Sequence, residues 1–160
     1  MKNTQINLND YPVGTGITKS IGSDRYPYEV IENISSKRIK IRELNAIPTA
    51  DSDYYNNQQH TFESKPNGQE MVIEMGTYKG YPCFKRVYHE VHWIPEVQDQ
   101  IIEKYGSTWD WADTTEIGRK CFDLMYDERK ALEGYTVYKK RSSRINLHFG
   151  TARQYQDPHF

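Results

Sequence analysis

From residue 11 to residue 93 the chain alternates apolar and polar positions in short β-branched stretches; from 94 to 133 its apolar residues recur three or four apart. The first pattern places successive side chains on opposite faces of a strand, and the second gathers them on one side of a helix. Segments 13–21, 28–34 and 38–44 therefore read as strands, with Val30, Ile34, Ile39 and Ile41 inward and Ser35-Ser36-Lys37 as a hairpin turn. Segments 60–64 and 70–75 flank Lys65-Pro66-Asn67-Gly68, and the Asn-Gly step predicts that these two strands pair antiparallel. Segment 81–93 is a further, ring-rich strand. Residues 45–59 lose all periodicity and carry Asp51, Asp53, Asn56 and Asn57. They read as a loop longer than the usual ~4–6 residues, either functional or disordered.

The helical stretch divides in two. Ile94, Val97, Ile101 and Tyr105 make one apolar stripe, opened by Pro95 and stopped by Gly106. Ile117, Cys121, Leu124, Met125 and Leu132 make the next, with Asp113 as its cap, Glu116 three residues on, and Gly134 as its close. Strand character returns at 135–138 and 144–149. The expected fold is thus α+β, an antiparallel sheet or small barrel-like body with an inserted helix pair before the last strands. A single domain, 1–160, is expected, with a β-rich body at 11–93 and 135–160 and a helical excursion at 94–133.

Composition narrows the function. At 160 residues, a chain burying roughly 70% of its unfolded surface can hold a core without staples. Thirteen tyrosines in a chain only 36% hydrophobic imply a thin core and a ring-rich surface. The formal charge of −1 lacks the basic field that duplex nucleic acid requires. Cys83 and Cys121 match no zinc or redox spacing and read as buried reduced thiols. The first ten residues are polar, read as an arm, and develop no apolar signal core. No stretch approaches the ~18 apolar residues of a membrane span, so a soluble, cytoplasmic protein is expected.

Motifs for catalysis are weak. His89-Glu90-Val91-His92 spaces its histidines three apart instead of the four of a helical zinc site, and its neighbours suggest a strand. No serine sits in a nucleophile elbow, and Gly14-Thr15-Gly16 lacks the rest of a phosphate loop. No catalytic residue, metal or cofactor is assigned. What remains are arginines beside tyrosines at both ends of the chain: Gly22-Ser23-Asp24-Arg25-Tyr26-Pro27-Tyr28 and Arg153-Gln154-Tyr155-Gln156-Asp157-Pro158-His159-Phe160. Arg25, Arg42 and Arg153 can grip phosphate through a planar fork, while Tyr26, Tyr28, Tyr54, Tyr55 and Tyr155 offer faces for a stacked base. The competing expectation is that tyrosines fill the core and the arginines pair with acids such as Asp24 and Asp157.

The order Val13-Gly14-Thr15-Gly16, Ser23-Asp24-Arg25, Glu29-Val30-Ile31-Glu32, Arg38-Ile39-Lys40-Ile41, Pro66-Asn67-Gly68 and the tail from Arg153 to Phe160 resembles a family of small, mostly phage-encoded β-rich proteins. The likeness covers about residues 11–75 and 144–160 and extends to the Thoeris anti-defence sponges, which bind cyclic ADP-ribose isomers or cyclic oligonucleotides. The resemblance implies a phage protein of the host cytoplasm that sequesters a cyclic nucleotide-type immune signal without cleaving it. It implies a homo-oligomer assembled partly by residues 94–133, with Arg25 and Arg153 as phosphate grips and Tyr28, Tyr155 and Phe160 as stacking or wall residues. Thr151-Ala152 stand where the family has two arginines, which leaves the tail register open. The alternatives are a phage structural or accessory module that contacts other proteins, and an enzyme on nucleotides that uses His89 or His148.

Overall fold

Eight strands and three helices follow one another in the computed structural model, which describes residues 6–159. The fold is α+β and dominated by antiparallel sheet, with the helices before the final strands, as the patterning predicts. Packing divides the chain into two compact units. One takes in the described residues up to Val87 and those from Ser142 onward; the other is Tyr88–Arg141.

The first unit is built on β1 (Gly16–Ile21), β2 (Asp24–Ser35), β3 (Arg38–Pro48), β4 (His60–Ser64) and β5 (Glu70–Tyr78). Strands β6 (Tyr81–Trp93) and β7 (Thr136–Ile145) carry the chain from one unit into the other, and β8 (Leu147–Phe149) follows. The sheet order is β7-β6-β5-β3-β2-β1-β8, with β4 paired to β3 off this path. Ile17, Val30, Ile39, Ile41 and Ile73 are all 0% exposed and form the core with Tyr28, Met71 and Leu147. Each fully buried aliphatic side chain of this kind contributes about 1.5–3 kcal/mol.

Three expectations are corrected here. Ile34 is 43% exposed instead of inward. Register irregularities between Val30 and Glu32 and between Asn33 and Ser35 interrupt the β2–β3 ladder, and each extra residue turns the following side chain to the other face. The polar arm is also replaced, over residues 6–10, by packed structure. Asn7 caps a 3₁₀ turn, Leu8–Asp10, and Leu8 is 0% exposed with its N–H donated to the Ser36 carbonyl at 2.8 Å.

The third correction concerns the Asn-Gly turn. β4 and β5 do not pair with each other, because both lie antiparallel along successive stretches of β3. Leu44 faces Ser64 and Arg42 faces Glu70, so residues 65–69 stand opposite Glu43 alone. The excursion is held by the Glu43 N–H to the Gln69 carbonyl at 3.1 Å and by Lys65 Nζ on Glu43 Oε1 at 2.8 Å. Gly68 is required because a Cβ there would lie 2.7 Å from the Glu43 carbonyl oxygen. The sequence signal marked a real turn; it did not say which strand the two arms would join.

The second unit holds α1 (Pro95–Tyr105), α2 (Thr108–Thr114) and α3 (Glu116–Phe122), the last continuing into a π-helical stretch, Asp123–Glu128. Pro95 opens α1 and Gly106, at φ 91°, stops it, as expected. The expected pair is in fact three helices. Ser107 caps α2 by accepting the Asp110 N–H at 3.0 Å, and Thr115 caps α3 by accepting the Gly118 N–H at 3.1 Å. Asp113, the expected cap, lies inside α2, and the helical run ends at Arg129 in the left-handed region instead of Gly134. Ile101, Trp111 and Cys121 are the core, ringed by Trp93, Val97, Tyr105, Met125, Leu132 and Tyr135.

Candidate ligand-binding site

A chain end needs specific partners to stay ordered, and residues 150–159 have them. Gly150, at φ 109°, turns the chain out of β8 and donates its N–H to the Gly16 carbonyl at 2.8 Å. The Thr18 hydroxyl donates to the Thr151 carbonyl at 2.6 Å. A Cβ at Gly16 would sit 2.8 Å from the Ala152 nitrogen, so only glycine admits the tail this close. Further on, Arg25 and Tyr155 exchange backbone hydrogen bonds at 2.8 and 2.9 Å. The Gln58 side chain donates to the Gln156 carbonyl at 2.6 Å and accepts the Gln156 N–H at 3.0 Å.

These contacts bring three remote segments around one concavity of about 550 Å³. Ser23 and Arg25 come from the entry to β2; Gln58, His60 and Phe62 come from the end of the long loop and from β4; Arg153, Gln154 and Tyr155 come from the tail. The volume lies within the range of small-molecule sites, roughly 300–1,000 Å³. Its lining combines two guanidinium groups, an imidazole, two rings and two amides. It contains no acid.

The nearby carboxylates are engaged elsewhere. Asp24 accepts the Asp157 N–H at 2.7 Å and the Tyr26 hydroxyl at 3.3 Å. Asp157 accepts the His159 N–H at 2.9 Å and the Ser23 hydroxyl at 2.7 Å, and these donors hold its carboxyl below the ordinary 3.8. Arg25 Nη1 donates to the Gly22 and Asp24 carbonyls, each at 2.9 Å, which fixes the fork without neutralising it. Among the described residues neither Arg25 nor Arg153 has an ion pair. The expected pairing of these arginines with Asp24 and Asp157 does not form, and two positive charges share one recess without a counter-charge in its lining.

A second recess, of about 340 Å³, shares His60 and Gln154 with the first. It is lined by Tyr26 and Tyr28 from β2, by Glu43 and Asn45 from β3, and by Lys65. Tyr28 belongs to this recess and to the core, at 3% exposure, and does not line the first. Lys19 lies over the Tyr26 and Tyr28 rings at 5.1 and 5.3 Å. The Lys65 ammonium, then the Gln69 backbone, hold the Glu43 carboxyl below its ordinary value.

The structure thus gathers Arg25, Arg153 and Tyr155 at the first recess and Tyr28 beside it. Arg42 lines neither recess: it lies on β3 with Nη2 3.9 Å from Glu29 Oε1. Phe160 lies outside the described residues. Tyr54 and Tyr55 stack edge to face with each other at 5.1 Å and line neither recess. Sequence reasoning missed His60 and Phe62, although the apolar-facing alternation of 60–64 puts both on one side of β4, with Thr61 and Glu63 exposed. It missed Gln58 because the loop carried no period.

Elsewhere, His92 Nε2 lies 2.6 Å from Glu90 Oε2, which also receives Arg141 Nε at 3.3 Å. His89 meets the Tyr138 ring edge-on. Among the described residues no cluster of three or more His, Cys, Asp or Glu side chains is placed to hold a metal ion, and no helix is long and apolar enough to cross a membrane. Cys83 is half-buried and Cys121 buried, and both are free thiols. Comparison of the chain with protein-family models, with curated proteins and with solved structures finds no match, so a functional reading rests on these two recesses and their chemistry.

Proposed function

We propose that this protein binds and sequesters a phosphorylated, nucleotide-type small molecule without cleaving it. The observation that carries the reading is the convergence of Arg25 and Arg153, from opposite ends of the chain, on one recess whose neighbouring carboxylates are committed to other donors. Guanidinium forks are the side chains best matched to phosphate oxygens, and desolvated charge-assisted hydrogen bonds are about twice as strong as neutral ones. His60, Phe62 and Tyr155 add flat faces, each worth roughly 1–3 kcal/mol when a base stacks on it. A near-neutral chain suits such a ligand, whose few charges are met locally, in contrast to a polymer that rewards a long basic track.

The resemblance to Thoeris sponges narrows the ligand to a cyclic ADP-ribose isomer or a cyclic oligonucleotide, in a phage protein that silences host immune signalling. Retention distinguishes this reading from catalysis. Protein incubated with cyclic ADP-ribose isomers, desalted and then heat-denatured is expected to release the ligand at unchanged mass. Release of an altered product would identify an enzyme instead, and no retained mass from a panel of cyclic nucleotides would overturn the proposal. Arg153→Ala is expected to abolish retention with little change in melting temperature, because its exposed side chain has no partner to lose among the described residues. Native mass spectrometry of the same samples reports the assembly state.

A further inference from the structure

We infer that the two adjoining recesses form one bipartite site, and that its ligand carries a phosphorylated aromatic part in the first and a hydroxyl-rich part, such as a second ribose, in the next. This rests on the reading of the first recess as a nucleotide-phosphate site and deepens it. His60 and Gln154 line both recesses, so a ligand can pass from one to the other across a shared wall. The chemistry changes across that wall. The first side presents Arg25 and Arg153, unpaired among the described residues, with the Phe62 and Tyr155 rings; the second presents the Glu43 carboxylate, paired with Lys65, and the Asn45 amide.

Glu43 is placed to stay ionised and to hold still. Lys65 Nζ binds Oε1 at 2.8 Å, and its backbone N–H is tied to Gln69, so the carboxylate is fixed at the one point where β3 faces the 65–69 excursion. An ionised carboxylate is an acceptor only, with capacity for about four hydrogen bonds, and a vicinal diol offers two donors at matching separation. Lys65 meets the charge of Glu43, whereas the two arginines have no counter-charge in the lining of their recess, so phosphate favours the first recess and the ligand takes one orientation. Together the recesses offer about 550 and 340 Å³, more room than a mononucleotide needs and suited to a nucleoside diphosphate linked to a further sugar.

Isothermal titration with AMP and with ADP-ribose tests this on the intact chain. Wild type is expected to bind ADP-ribose more tightly than AMP. Glu43→Gln, which keeps the shape and removes the charge, is expected to weaken ADP-ribose roughly ten-fold, the scale of one lost charged hydrogen bond, and to leave AMP unchanged. Asn45→Ala, at an exposed strand position, gives a second reading of the same recess should Glu43→Gln lower the melting temperature. Arg153→Ala is expected to weaken both probes. If Glu43→Gln and Asn45→Ala change neither probe while Arg153→Ala weakens both, the second recess is idle and the bipartite site is wrong although the phosphate site stands. If wild type binds neither probe yet retains a cyclic ADP-ribose isomer, the bipartite site is wrong and the sequestration reading stands; if it retains neither, both readings fall.

Discussion

Asp157 receives the His159 N–H and the Ser23 hydroxyl, and both donors favour its anion, which is why its carboxyl titrates below the ordinary 3.8. A carboxylate with a depressed folded value adds stability that is complete above the unfolded value and is lost as pH falls through the folded one. Protection of the Arg25 and Tyr155 amides from hydrogen exchange is therefore expected to hold at neutral pH and to fall as pH drops below 3.8, before the core strands open. Asp157→Ala should remove this dependence; equal protection of tail and core throughout would contradict the role. The cysteines provide a second residue-level test. Burial pushes the Cys121 thiol up to about 11, whereas Cys83 is half-buried. The thiolate is the reactive form. A thiol reagent at about pH 8 is expected to label Cys83 first and Cys121 only on unfolding, and the reverse order would refute the placement.

Among the elements, the short helices depend on their caps. α3 spans only Glu116–Phe122, and Thr115 closes its first turn while its own hydroxyl donates to the Trp111 carbonyl at 2.6 Å. Thr115→Ala is expected to cost about 1 kcal/mol, seen as a lower melting temperature by circular dichroism at unchanged ligand retention. Gly118→Ala should cost more, about 1–3 kcal/mol, because its Cβ would meet the Thr115 hydroxyl and the Trp111 carbonyl, each at 2.6 Å. Most strand positions and α1 were legible from the sequence because alternation, Pro95 and Gly106 are local signals, but β3 runs on to Pro48 into the expected loop and β7 fills Thr136–Ile145 without the expected gap. α2 was not legible, since Trp109, Trp111 and Ala112 are too few to show a period, although Ser107 with Asp110 three residues on was a readable start. The pairing of β4 and β5 with β3 was hidden for a different reason: the Asn-Gly step specifies a turn, and partner choice is a tertiary matter. Of the recess, the arginines and Tyr155 were legible by residue type, and His60, Phe62 and Gln58 were not, because only the folded register puts them beside the tail.

At the scale of the molecule, the buried core of the first unit owes nothing to the tail beyond Gly150, while the recess owes it Arg153, Gln154 and Tyr155. A variant ending at Gly150 is expected to keep its β-sheet circular dichroism, to melt a few degrees lower for want of the Thr18 and Arg25 partners, and to retain no ligand. Loss of the sheet signal would show the tail to be part of the folding core instead. The five residues 65–69 that stand against Glu43 have a different consequence. Because β3 fixes the strands on both sides of them, chain can be inserted or removed there without shifting either ladder. Evolution, or an engineer, can therefore resize that corner of the second recess one residue at a time, with both ladders left in register.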